Sequence, residues 1–570
     1  MRHQPAIEFT TAPLNTNVRI PLWLLLIIFL AYALPGAIGH APWRGDDVLN
    51  IATTASMLHS GNWLVPHVAG DPVLNAPLVH HWLGAIFGTL LGWLLPLHDA
   101  IRLASLTALA FGIWALRDTA RRMLPQHSTA MAVPLLILST LGLLIQAHEA
   151  QPMITLLALI AGSLWGLSML DTAARRGFLI AGGFCAAAFL DSGLAGLVLT
   201  LPACVTRVLL IDQRKRQETF ANLLPGALLF VGLSLALPCL LAISSPDALS
   251  GWWHQALMDV TPHAERGRLS ALIGLLSWYV WPLWPIALYA IWHRRKQLRQ
   301  PFYASCVAAL LGALWIVSTT GPVRAANALP LIPTLALLAA SEAGRLRKGA
   351  GNALDWFAIM TFSLLGLFLW LAWSALHLGW PVAMARNVMR LAPGFTPHIG
   401  WWAVPVAVLL SVIWIITLIR LPHFALRSAL RWTLGITLAW GLATTLWLDW
   451  FDYDRNYSRI TAQISGQLTE HKLGCVMSLG AGDVQRAALE YFANIRLQRF
   501  VDATQATPKT PHVACDAVLS YASGRNSLQE PGAGWTQIWS LQKGRGRAQE
   551  QFALFTRANP AAIFNPPPTQ

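Results

Sequence analysis

"LVHHWLGAIFGTLLGWLLP", residues 78–96, decides how this chain is threaded. It is one of three apolar runs between an N-terminal arm carrying Arg2 and Arg19 and the basic cluster "RDTARRM" at 117–123. The other two are 20–39 and 99–116. Lys and Arg in short loops favour the cytoplasmic side, so an even number of crossings must separate the two basic segments. One run therefore cannot span. Residues 78–96 open on two histidines and a tryptophan and mix small with bulky residues, the pattern of a helix lying in the interface. The run reads as juxtamembrane, which places residues 40–98 on the outer face.

The remainder of the chain supports a membrane protein. Of 570 residues, 55% are hydrophobic and only 12% charged, against about 25% charged in soluble domains. Runs near the roughly 20 residues that cross a bilayer recur from residue 20 to residue 449. The first, 20–39, is too long for a signal-peptide core and lacks a cleavage site, so it reads as a retained helix. A net charge of +14 would suggest nucleic acid in a soluble chain. Here the basic residues sit in short clusters between apolar runs, so they set orientation and no nucleic-acid partner is expected.

Further clusters lie at 171–176, 213–217, 293–300, 345–348 and 420–431. Two runs separate each neighbouring pair: 131–147 and 152–170, 177–190 and 193–211, 223–243 and 271–292, 302–319 and 325–342, 353–378 and 401–419. The expected fold is a polytopic α-helical membrane domain over 1–449 with about 13 transmembrane helices, N-terminus inside. Outer segments are then 40–98, 148–151, 191–192, 244–270, 320–324, 379–400 and everything after 450. Residues 450–570 turn polar and read as a small α/β periplasmic domain. Its expected strands are "CVMSLG" and "DAVLSYAS", and its expected amphipathic helix is "DVQRAALEYFANI". Four of the six cysteines fall in apolar runs. The other two, Cys475 and Cys515, lie where oxidising conditions permit a disulfide; two buried thiols are the alternative.

On the outer side, "WRGDDVLNIATTASMLHSGNW" (43–63) carries Asp46 and Asp47 at the end of the first apolar run. A carboxylate at a lipid boundary suits a general base, because low dielectric raises its proton affinity. The same residues also suit a helix start, with acids at the positive end of the dipole.

The order "WRGDD…MLHSGNWLVPHVAGDPVLNAPLVHHWL" resembles the first outer loop of bacterial GT-C membrane glycosyltransferases. The branch is that of the lipid A 4-amino-4-deoxy-L-arabinose transferases and the protein mannosyltransferase-like proteins. The likeness continues in "FLDSGLAGLVLTLP" (189–202), "WPLWPIALYAIW" (281–292) and "VRAANALPLIPTLALLAA" (323–340), and covers residues 15–345. The resemblance implies a bacterial inner-membrane enzyme. It would take a sugar from a polyprenyl-phosphate donor and pass it to an envelope glycolipid, glycan or protein on the periplasmic face. Asp46 matches the first acid of the family's pair, and Asp47 stands for its Glu. Both are the catalytic candidates.

Other family positions differ. The Glu that helps hold a metal and the Lys that meets phosphate read Asn75 and Ala76, and a second Lys reads Ser192, after Asp191. A divalent metal is therefore an open question. Candidates to replace the lost phosphate contacts are Arg266, Arg268, Arg324, His80 and His81, with Glu149, His254 and His263 also on outer segments. Two other readings stay open: a GT-C scaffold that has lost its donor site and binds lipid or a partner, and a lipid or sugar transporter. Against the latter, the apolar runs hold no ionisable residue well inside, apart from Asp191.

Overall fold

The computed structural model describes residues 20–124, 127–211, 216–262, 267–346, 348–499, 515–544 and 549–557. Ten helices make up the first half: α1 (Leu22–Ala33), α2 (Asp46–Ser60), α3 (Leu78–Leu91), α4 (Leu97–Met123), α5 (His127–Leu138), α6 (Leu143–Gln146), α7 (Pro152–Ser168), α8 (Ala174–Leu209), α9 (Arg216–Ser244) and α10 (Pro246–Val260). Further helices of 18 residues or more follow at Pro301–Thr319, Lys348–Leu378, Ala403–Arg420 and Arg427–Leu446. Seven described helices are long and apolar enough to cross a membrane, or eight if one bent pair forms a single span. The chain is a multi-pass membrane protein. Leu364, Leu367, Ile413 and Ile416 stay exposed on two of these helices, as lipid-facing side chains do where the backbone satisfies itself within the helix.

α8 is a hairpin, although its 36 residues run without a loop. Ser192 and Gly193 leave helical geometry, Gly193 at φ 55° and ψ −135°. Glycine adopts a positive φ without steric cost, and a Cβ here would stand 3.1 Å from the Cβ of Ala256. The arms fold back on each other. Cys185 Sγ lies 3.6 Å from Cys204 Sγ, and Arg207 reaches Asp171 at 2.7 Å beyond the far end. The turn at 191–193 is thus where two runs, 177–190 and 193–211, were expected to meet.

Helix α3 is 14 residues long, short of the roughly 20 that cross a bilayer. Near its start the His80 amide donates to Asp191 Oδ1 at 3.1 Å; beyond its end, Arg102 in α4 meets Asp47. Several other runs are shorter or more broken than expected. Helix α1 fills only part of 20–39. The run 131–147 divides into α5 and α6, after Ser139 and Thr140 turn their hydroxyls onto the Leu136 carbonyl. The run 271–292 is two helices, Arg268–Tyr279 and Leu283–His293, bent by 95°. The basic clusters find acids at helix ends: Arg121 and Arg122 on Asp118, Arg294 on Glu342, Arg427 and Arg431 on Asp355.

After residue 457 the chain forms helices Ser458–Glu470 and Asp483–Ala493 and a five-stranded sheet. A small hairpin, β1 (His67–Val68) with β2 (Asp71–Pro72), precedes it in the chain. The sheet strands are β3 (Val476–Leu479), β4 (Leu497–Arg499), β5 (Ala517–Ser523), β6 (Trp535–Lys543) and β7 (Glu550–Arg557), in the order β4-β3-β5-β7-β6. β3 is parallel to β4 and β5, and β7 is antiparallel to β5 and β6. The expected strands and helix fall on β3, β5 and Asp483–Ala493; β4, β6 and β7 had not been foreseen.

This unit packs on the segment 40–98. Buried Arg486 meets Asp71 at 2.7 Å, the Ala69 amide donates to Glu490 at 2.6 Å, and Tyr491 pairs with His98 at 3.0 Å. It therefore lies on the same side as Asp46. Cys475 and Cys515 are joined in a disulfide at the starts of neighbouring β3 and β5. Thiol counting by intact mass after denaturation without reductant should find four free cysteines, Cys185, Cys204, Cys239 and Cys306. Six would contradict the bridge.

Candidate active site

The two neighbouring acids are placed in different environments by the turn that precedes them. Gly45, at φ 109°, bends the chain so that α2 begins on Asp46. Asp47 then points inward and is fully buried. Its Oδ2 accepts from the Trp43 amide at 2.9 Å and from Arg102 Nη2 at 2.7 Å. Its Oδ1 accepts from the Ala150 amide at 2.8 Å. Burial alone would raise this carboxyl's pKa; the adjoining Arg102 guanidinium outweighs it and holds the group below its usual range. Arg102 is itself fully buried and also binds Asp99 at 3.0 Å. Asp47 is thus a brace that ties the loop at 43, the start of α2 and the segment at 150 to α4. The expectation of a catalytic Asp47 is corrected on this ground: its carboxylate is buried, off the cleft, and both oxygens are already engaged.

Asp46 faces the other way, into a cleft of about 230 Å³. Its carboxylate lies 3.7 Å from Arg324 Nη1 and 3.5 Å from Gln151 Nε2. No side chain caps α2, so Asp46 is its first helical residue and not its cap. The walls come from five of the segments expected on the outer side: Asp46 and Asn75, Gln151, Asp191 with Ser192, Asp259, and Arg324. Asn75 donates to Asp259 at 2.6 Å. Arg324 is the only cation among these lining residues, facing three carboxylates.

The other candidates fall elsewhere. His80 and His81 are buried behind the cleft, bonded to Thr155 at 2.9 Å and Thr54 at 2.8 Å. Burial pushes His80 down to about 3 and His81 well below its usual value. Both are neutral packing residues between α3, α7 and α2, which corrects their expected phosphate role. Arg268 is buried and spends its guanidinium on the carbonyls of Ser318, Thr320 and Gly321. It clamps that turn and does not line the cleft. His254 is exposed, off the buried Ala248–Trp252–Ala256 stripe of α10. His263 and Arg266 lie outside the described residues. Glu149 is half-buried beside the acid pair. Burial, then the charges of Asp47 and Asp46, raise its carboxyl to about 8.

Two features were missed in the sequence. Asp259 stands where the buried stripe of α10 would continue, and an acid on an apolar stripe was the available signal. Arg102 sits inside the apolar run 99–116, and nothing in that run pointed to its partner. The implied metal does not fit what is described: no group of three His, Cys, Asp or Glu residues able to hold one occurs among the described residues. Asn75 supplies a neutral amide where the family's Glu would stand.

No family model matches the chain. Its curated relatives include the undecaprenyl phosphate-alpha-4-amino-4-deoxy-L-arabinose arabinosyl transferase of Erwinia tasmaniensis, 25% identical over 425 residues, 69% of this chain and 72% of that one. A second, from Pseudomonas fluorescens Pf-5, is 31% identical over 267 residues, 44% of each chain. A third, from Proteus mirabilis, is 29% identical over 203 residues, 34% of this chain and 36% of that one. The matches thus span from about a third to under three quarters of these relatives' lengths. Among solved structures, ArnT from Cupriavidus metallidurans bound to undecaprenyl phosphate superposes with a TM-score of 0.64 at 16% identity, covering 93% of this chain and 97% of that one. The apo form of the same protein gives 0.61. The chain thus has the fold of ArnT over nearly its whole length, and over part of its length it is similar in sequence to undecaprenyl phosphate aminoarabinose transferases.

Proposed function

We propose that this chain transfers a sugar from a polyprenyl-phosphate donor to an envelope acceptor on the periplasmic face of a bacterial inner membrane. The acceptor class is lipid A or lipopolysaccharide, another glycan, or a protein. The observation that carries this reading is Asp46 opposite Arg324 across a cleft built from five outer segments. An acceptor hydroxyl attacks the anomeric carbon as the bond from that carbon to the phosphate oxygen breaks. The phosphate leaves with the bonding electrons, and Arg324 meets its growing charge. Asp46 takes the hydroxyl proton. No step is routed through a metal.

The finer topology belongs to the same reading: 13 crossings over 1–449, with residues 450–570 a periplasmic domain. A reporter fused after residue 120 should read cytoplasmic and one after residue 460 periplasmic. A periplasmic signal at 120 would make residues 78–96 a crossing and undo the outer-loop assignment.

The reading is tested in a deletion strain by mass spectrometry of envelope glycolipids. The wild-type chain should restore a sugar modification, and Arg324→Gln should lower it by about 10²-fold, the scale for removing one donor at a developing charge. Full modification by Arg324→Gln would remove Arg324 from the mechanism. One observation favours a second reading, a scaffold that binds without transfer: among the described residues lining the cleft, three carboxylates face a single cation. No modification by the wild-type chain in any acceptor fraction would select it.

A further inference from the structure

A second cavity, of about 90 Å³, lies away from the cleft and shares no lining residue with it. It opens where helices Lys348–Leu378, Ala403–Arg420 and Arg427–Leu446 end, beside the helix Leu448–Arg455 that leads to the sheet unit. Its walls include the rings of Trp373, His377, Phe395, Trp402 and Trp450 and the carboxyl of Asp449. The rings are held firmly: Trp373 packs on His377 with centroids 5.0 Å apart, and Phe395 on Tyr453 at 5.3 Å. Tyr453 also donates to the Pro393 carbonyl at 2.7 Å, pinning the segment that covers the cavity.

One chemical feature remains for an occupant to answer. Aromatic faces with a carboxylate attract an ammonium ion, and Asp449 supplies that carboxylate among the rings of Trp373, Phe395, Trp402 and Trp450. The position narrows it further. Ile399 in the wall and Trp401, next to Trp402 in the chain, are exposed apolar residues, and Trp is enriched at head-group level.

We propose that this cavity binds the head group of a membrane phosphatidylethanolamine, its ammonium among the rings and Asp449. The proposal does not depend on the transferase reading. The test uses the full chain purified from membranes containing phosphatidylethanolamine and phosphatidylglycerol, with retained lipid counted by native mass spectrometry. Phosphatidylethanolamine should be enriched over phosphatidylglycerol by about tenfold, the scale of one charge-assisted contact. Asp449→Asn and Trp450→Phe should each lower the enrichment severalfold, with unchanged elution volume and thermal midpoint. Soluble phosphoethanolamine at millimolar concentration should displace the retained lipid. Equal retention of both lipids by the wild-type chain, or enrichment unchanged in both variants, would mean an ordinary aromatic belt and overturn the proposal. Binding of soluble phosphoethanolamine without lipid enrichment would also overturn it, by assigning the cavity to a water-soluble amine.

Discussion

Asp46→Asn should reach the membrane at the wild-type level, unfold at the wild-type temperature, and lose envelope modification. The side chain makes only long contacts, at 3.5 and 3.7 Å, and is about one-third exposed. An exposed pair of that kind contributes about 0–1 kcal/mol to stability. Removing a positioned general base costs on the order of 10²–10⁴ in rate. The amide keeps the shape and removes the proton acceptor, so stability and activity separate in one variant. Full modification by Asp46→Asn in a deletion strain would show that the acid is not the base.

The network behind the neighbouring Asp47 should behave in the opposite way. Arg102→Met leaves Asp47 and Asp99 buried without their cation. Breaking a buried pair by removing one partner costs about 3–5 kcal/mol, a large share of a domain's roughly 5–15 kcal/mol. The variant should be scarce in membranes, and what is recovered in detergent should unfold many degrees lower. Asp47→Asn should be milder, because Arg102 keeps Asp99. A wild-type unfolding temperature for Arg102→Met would mean that this network braces nothing. Asp46 and the Arg102 network behind its neighbour then give two phenotypes: chemistry lost at normal stability, and stability lost at the site that holds the chemistry in place.

The contrast shows where sequence was informative. The charge alternation along the apolar runs grouped the segments that meet: Asp46 and Asn75, Gln151, Asp191, Asp259 and Arg324 come from five separate stretches and line one cleft. Such pairing rests on a rule about loops, and loops are where charge is visible. The failures concern burial. His80 and His81 look like ligands in a string of letters, yet the first turn of α3 directs both into packed helices, where burial keeps them neutral. Arg268 looks like a phosphate contact but is consumed by three backbone carbonyls. Asp47 and Arg102 are 55 residues apart, and no local spacing links them. Helix breaks were equally hidden, because hydropathy reports whether a run is apolar and not whether it is straight.

The central claim is that the cleft breaks the bond between sugar and lipid phosphate. The most direct measurement reconstitutes the purified chain with an isotopically labelled polyprenyl-phosphate sugar and an envelope glycolipid extract, and follows both labelled species over time. The account predicts that lipid phosphate is released in step with label entering the acceptor, and that Asp46→Asn binds the donor while releasing none. Donor that binds the wild-type chain and remains intact through the whole incubation would contradict it, leaving a scaffold that holds its lipid without consuming it.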